Sequence, residues 1–222
     1  MALRYYVYIS DAKVDMLLPQ VDPGFTRRRA TEVGVSLKFV SARRSVETAA
    51  SDRVARLERV VRHLDDFGDV GTVDAPGQYV RGRLPMRWGP LPLGPSPLVY
   101  FGGRTERTIV GLGGASGHVL GAPGPAPGAA PAEQELPFAP STAPGLLTGL
   151  AAAVAADGAD GTPQPDALAS VQLANRTLRG AEQEVEFLAK RLLHGPSPYP
   201  ELDGQDGMTV LLGSPLFVAL AD

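Results

Sequence analysis

The sequence predicts an α+β domain: a mainly antiparallel or mixed sheet, its N- and C-terminal strands central, with helices packed on one face. Three observations lead there. Strand-like segments are grouped in the first half, at 3–9, 35–41, 79–88, 98–101 and 108–112. Helical patterns dominate the second half, and an apolar segment closes the chain at 208–220. Strands, then helices, then a final strand suit a sheet with helices segregated to one side.

Each element has its own warrant. Leu3–Ile9, LRYYVYI, is apolar and aromatic without clean alternation, as a strand buried on both faces requires. Asp11 caps a short helix through Leu18, with Val14, Leu17 and Leu18 on one face, and Pro19 and Pro23-Gly24 break it. Phe25–Val33 reads as another short helix carrying Arg27-Arg28-Arg29, and Val35–Ser41 as a second strand. Ser51–Phe67 carries the clearest helical signal. Val54, Leu57, Val60, Val61 and Leu64 recur at spacings of three and four, and Gly68 stops the helix.

Tyr79–Trp88 alternates: Val80, Leu84, Met86 and Trp88 share one parity, Tyr79, Arg81, Arg83 and Arg87 the other. Pro85 restricts that strand to a sheet edge or a bulge. Leu98–Phe101 and Thr108–Leu112 form a hairpin around GGRTE, and Gly117–Leu120 continues the meander. Leu146–Ala156 is alanine-rich and helical. Ala167–Leu193 reads as a long helix, broken at Gly180 into two pieces, with Glu186 and Lys190 as an i, i+4 pair. Met208–Leu212 and Leu216–Leu220 are closing strands split by Gly213-Ser214-Pro215, with the N-terminal strand as the natural neighbour.

Length and composition bound the rest. The 222 residues fit one domain, 1–222, interrupted by a mobile Gly/Pro/Ala-rich loop at 121–145. A net charge of −3 argues against a dedicated nucleic-acid binder. The absence of cysteine removes disulfides, thiolate catalysis and cysteine metal sites, and suits a reducing compartment. No signal peptide and no apolar run of membrane-spanning length stands out, so the expected location is the cytoplasm.

The candidates for chemistry are few. TIVGLGGASGHVLG, 108–121, approaches a dinucleotide fingerprint, but HVLGAPGPAPG follows it and cannot open a helix, and no Walker lysine is present. What remains is a glycine turn between strands, with Gly113 and Gly114 able to offer backbone N–H groups to an anion. Just past it, Ser116 and His118 are candidates for a dyad, with His118 as general base, and Asp11, at the end of the first strand, is a candidate carboxylate. His63, His118 and His194 show no metal-ligand spacing, so no metal and no cofactor is expected. The arginine parity of 79–88 suits planar anions, with Arg81 and Arg83 joined by Arg104 and Arg107 of the adjoining hairpin. The alternative is an exposed strand face kept soluble by charge. Asp157-Gly158 and Asp160-Gly161 mark a loop suited to turns or to proteolytic cutting.

RYYVYISDAKVDML, VYFGG, TIVGLGG, EFLAKRLLHG and VLLGSPLFVALAD together resemble an uncharacterised, mostly actinobacterial domain family. That resemblance implies a loose association with bacterial conflict systems containing caspase-like proteases, and assigns no functional residue. The leading expectation is a non-enzymatic binding or sensor module for an anionic small molecule or a partner protein. The competing ones are a hydrolase or transferase using His118, and an interaction protein regulated by cleavage at Asp157 or Asp160.

Overall fold

A computed structural model describes residues 4–22, 42–91, 98–121, 167–203 and 207–221. The elements expected at 25–33, 35–41 and 146–156, the loop beyond Gly121, and Asp157 and Asp160 lie outside these residues. The chain divides into two compact units: residues 1–10 with 70–222, and residues 11–69.

The larger unit contains β1 (Tyr5–Ile9), β2 (Val70–Thr72), β3 (Tyr79–Leu91), β4 (Leu98–Arg104), β5 (Thr108–Ala115), β6 (Gln183–Pro196) and β7 (Thr209–Leu220). Five of these pair in a closed ring, β3 with β4, β4 with β5, β5 with β7, β7 with β6, and β6 back to β3. The ring is a mixed barrel, because β5 and β7 run parallel while the other four pairings are antiparallel. Closure removes the free edges that an open sheet would present. The expectation of a mainly antiparallel or mixed sheet is met in its mixed form.

Alternation along each strand fills the interior. Val80, Leu84 and Met86 of β3 meet Phe101 of β4, Leu112 of β5 and Phe187 of β6 in one buried cluster. Gly82 belongs to the same parity, and a Cβ there would strike the Phe187 ring at 2.5 Å. The barrel is therefore a packed core, with little room for more than its own side chains.

Two strand expectations change for one reason. Pro85 lies inside β3, which pairs on both sides, so β3 is neither an edge strand nor bulged there. On one side β6 runs past Pro85 unbroken, from Tyr79 to Met86. The other side is shared: β2 ends its pairing at Arg81, and β4 begins at Met86. Pro85 thus falls where one partner hands over to the next and no N–H is demanded. The Gly213-Ser214-Pro215 segment repeats the device inside β7, which is one strand rather than two. There β5 ends its pairing at Gly213 and β1 begins at Phe217, with a register shift against β6 at the same place. β1 adjoins β7 as expected from the chain ends, but among the described residues β7 is the one strand it pairs with, so there the N-terminal strand lies at the end of the strand order rather than at its centre.

The expected long helix at 167–193 is also corrected. Only Ala167–Thr177 is helical, and Gln183–Pro196 is β6. Val185, Phe187 and Ala189 alternate into the barrel, while Leu188 on the opposite parity is buried as well. Burial on both faces makes the segment imitate a helical pattern. Glu186 and Lys190 are consequently not helix neighbours: Glu186 bonds Arg4, and Lys190 sits over the Tyr79 ring at 4.9 Å and bonds Gln78.

The helix at Ala167–Thr177 packs Val171 and Ala174 on the outside of the barrel, against Tyr100 of β4 and Val210 and Leu212 of β7. Glycines make this approach possible. A Cβ at Gly102 would collide with Asn175, and one at Gly111 with Tyr100 and with Val171 at 2.8 Å. Asn175 uses the space by donating to the carbonyls of Gly103 at 3.2 Å and Val110 at 3.0 Å, and its Oδ1 accepts from the Tyr100 hydroxyl at 3.0 Å. Burial pushes the Tyr100 phenol well above its ordinary range, so it remains a donor. Gln172, 2% exposed, bonds both the N–H and the carbonyl of Tyr199, tying the helix to the segment after β6.

The smaller unit pairs α1 (Asp11–Val21) with α2 (Ala42–Phe67). Pro19 does not end α1. Leu57, Val60, Val61 and Leu64 of α2 are buried as their spacing predicts, and α1 buries Val14 and Leu18. Asp11 bonds Arg53 at 2.8 Å, Asp15 bonds Arg56, and Asp22 bonds Arg59 at 2.6 Å. The matching order of these pairs shows the two helices running in the same direction. Parallel helix dipoles oppose one another, and the charge ladder offsets part of that cost. Lys13 is 7% exposed, and burial lowers its ammonium to about 8.

Candidate functional site

The outer parity of β3 carries the arginines, as the alternation predicts, and β6 and the residue just before it set glutamates beside them. Arg81 contacts Glu186 at 3.3 Å, Arg83 contacts Glu184 at 3.4 Å, and Arg87 contacts Glu182 at 3.0 Å. Arg87 also donates to the Gly180 carbonyl at 3.2 Å. Arg4 joins from the start of β1, reaching both oxygens of Glu186 at 3.0 and 3.1 Å and lying over the Phe217 ring at 5.7 Å. Burial alone would lower the Arg4 guanidinium, but the charge and hydrogen bonds of Glu186 outweigh it and hold the group above its ordinary value. This face is a matched ladder of charge between antiparallel strands. An anion binding to Arg81 or Arg83 would have to compete with a carboxylate already in place.

The glycine segment is not a turn. Gly111, Gly113 and Gly114 lie within β5, paired with Gly102, Tyr100 and Val99 of β4. Their role is clearance. Gly111 admits the helix outside, and Gly114 admits the Tyr8 ring inside. Gly113 accepts a hydrogen bond from Ser214 of β7 at 3.4 Å. Their backbone N–H groups belong to a strand rather than to an anion-binding loop.

The change of direction comes later, in a 3-10 turn at Ser116–His118, so Gly117–Leu120 does not prolong the meander as a strand. Val119 then bridges to Tyr8, and the Leu120 N–H donates to the Val7 carbonyl at 2.8 Å. His118 is half-buried, edge-on to the Tyr8 ring at 5.9 Å, and Ser116 shares its turn. Asp11 begins α1 in the other unit, where its carboxylate faces Arg53. Arg81 stands on the outer face of β3 and His118 meets inward-facing Tyr8, so these two do not share a site. Among the described residues no cluster of metal-ligating side chains occurs. His194 is held below its ordinary value by burial and by the neighbouring charge of Arg191.

The β4–β5 hairpin tip differs. Arg104 and Arg107 are exposed, and among the described residues neither guanidinium has a hydrogen-bond or ion-pair partner. Beneath them the backbone is held tightly. The Thr105 N–H donates to the Thr108 carbonyl at 2.9 Å, and Thr105 Oγ1 accepts from the N–H groups of Arg107 at 3.1 Å and Thr108 at 2.9 Å. The Thr209 N–H donates to the Arg107 carbonyl at 2.9 Å. Asp74, in the turn after β2, accepts from Thr105 Oγ1 at 2.7 Å and Thr108 Oγ1 at 2.8 Å. Asp74 escapes sequence reasoning: 31 and 34 residues separate it from its partners, and no local motif announces them.

Among the described residues no helix is long and apolar enough to cross a membrane. No curated protein and no solved structure matches this chain. A family model does, over residues 4–222, and the uncharacterised character implied by the sequence motifs is shown by it. The chain belongs to DUF7019, a family of unknown function.

Proposed function

We propose that this chain is a non-enzymatic binding module, that its contact surface is the β4–β5 tip, and that its partner is an acidic segment of another protein. One observation carries this reading: the exposed guanidiniums of Arg104 and Arg107 stand unmatched on a tightly bonded turn, while the arginines of β3 face glutamates. A braced turn loses little conformational freedom on binding, so its charges act at lower entropic cost. The filled barrel and the projecting tip favour a macromolecular partner over a small molecule, since small-ligand sites are concave. The association of similar proteins with bacterial conflict systems, and a cytoplasmic location, fit a module that recruits a partner. The second reading, a hydrolase or transferase with His118 as general base, draws on the single turn shared by Ser116 and His118.

The test is an amide chemical-shift titration of the whole chain with a short polyglutamate peptide, and separately with inorganic phosphate. Shifts centred on 103–108, lost in the Arg104→Glu/Arg107→Glu double variant, support the proposal. That variant should unfold within about 0.5 kcal/mol of the wild type, as surface changes do. Equal responses to phosphate at the tip would favour a small anion, and shifts confined to other surfaces would overturn the assignment.

A further inference from the structure

We infer that Asp74 is the positioning residue of this tip: its carboxylate clasps the hairpin, and the clasp holds Arg104 and Arg107 ready for an acidic partner. The inference rests on the binding reading above but is carried by separate observations. One oxygen, Asp74 Oδ1, takes hydrogens from Thr105 at 2.7 Å and Thr108 at 2.8 Å.

The carboxylate sets the direction of two hydroxyls. Thr108 has one hydroxyl hydrogen and gives it to the carboxylate, leaving the Thr209 hydroxyl, 3.0 Å from it, to donate either to Thr108 or to the Arg107 carbonyl at 3.4 Å. Thr105 likewise gives its hydrogen to Asp74 and accepts from two backbone N–H groups. The hydroxyls of Thr105 and Thr108 are thus oriented by the carboxylate, and through Thr105 the orientation passes to the backbone of the tip.

Position gives the clasp its purpose. β2 stops pairing with β3 at Arg81 and β4 does not begin until Met86, so among the described residues β3 has no strand partner between them on that side. Asp74 belongs to the turn after β2, Thr105 to the turn after β4 and Thr108 to the start of β5, so their hydrogen bonds join the β2 turn to the β4–β5 hairpin beside this break. Thr108 is 1% exposed although Asp74 is exposed, so the clasp reaches from the surface into the wall.

Positioning and charge predict opposite signs. Asp74 is an anion bonded to Thr105 and Thr108, the sequence neighbours of Arg104 and Arg107, so removing its charge alone should strengthen binding of an acidic peptide. Asp74→Asn keeps an oxygen that accepts both hydroxyls but loses the charge. Asp74→Ala loses both. In polyglutamate titrations, Asp74→Asn should bind as well as or better than the wild type, while Asp74→Ala should bind several-fold more weakly than Asp74→Asn. Equal affinities of the two variants would overturn the inference. Hydrogen exchange on the same proteins gives a readout free of the ligand: protection of the amides at 105–109 should survive in Asp74→Asn and fall at least tenfold in Asp74→Ala. Unchanged protection in Asp74→Ala would also overturn it. If the wild type binds no polyglutamate while the exchange result holds, the binding reading fails and the clasp stands.

Discussion

The outer face of β3 and the tip of the β4–β5 hairpin are both rich in arginine, and they treat the charge in opposite ways. On β3, pairing with β6 brings Glu186 and Glu184 of β6, and Glu182 just before it, alongside Arg81, Arg83 and Arg87. At the tip, Arg104 ends the paired part of β4 opposite Ile109 and Arg107 lies beyond it, with Glu106 exposed between them and the nearby Asp74 occupied by hydroxyls. Arginine content therefore does not locate a binding surface. What matters is whether the neighbouring strand supplies the counter-charge, and a β-ladder supplies it wherever registers align.

The largest expected effect tests the scaffold that holds the hairpin. Gly111→Val would drive a side chain into Tyr100 and Val171 and lift the Ala167–Thr177 helix from β4 and β5. Overpacking of this kind costs about 3 kcal/mol. Urea unfolding should report that loss, and near-wild-type stability would show that the helix can shift without cost.

A third way of treating a cation, burial, appears in the smaller unit, and Lys13 measures it. Its folded value is about 8, below the 10.5 of the free side chain, so between these values the unfolded chain binds more protons and stability rises with pH. Below pH 8 the penalty is present in full. Lys13→Met should stabilise the protein at pH 7 by about 3 kcal/mol and abolish the rise between pH 8 and 10. Denaturant midpoints at pH 7 and pH 9.5 decide it, and a variant whose stability still climbs would exclude Lys13 as the source.

The smallest effect on stability breaks the comparison most directly. Glu186→Ala removes the acceptor shared by Arg4 and Arg81, half-exposed groups whose pairing is worth about 1 kcal/mol. It should also convert the β3 face into something like the tip, so that polyglutamate now shifts amides near Arg81. If Arg4 and Arg81 without Glu186 attract no acidic peptide, removal of that carboxylate is insufficient, and the bracing of the tip is what distinguishes it.

Several elements were legible in the sequence because their signals are local. The parity of 79–88 placed Val80, Leu84 and Met86 inside and the arginines outside. The 51–67 periodicity found the buried row of α2, and GGRTE located the hairpin. The glycines of 108–114 were visible too, but their meaning was not. A glycine admitting a helix outside, like Gly111, or a buried ring inside, like Gly114, has the same sequence signature as one that makes a turn.

By itself, then, the sequence determined the apolar alternation, the helix of the smaller unit and the hairpin, since each depends on residues a few positions apart. Tertiary structure decided the rest. It made 183–196 a strand, because β3 and β7 supply backbone partners along both of its edges. It let Pro85 and Pro215 sit inside long strands, because partners change there and the missing donors are not needed. It matched one row of arginines with glutamates about a hundred residues away and left the tip unmatched. Such pairings are set by strand register, which long-range packing of the barrel fixes and no local pattern encodes.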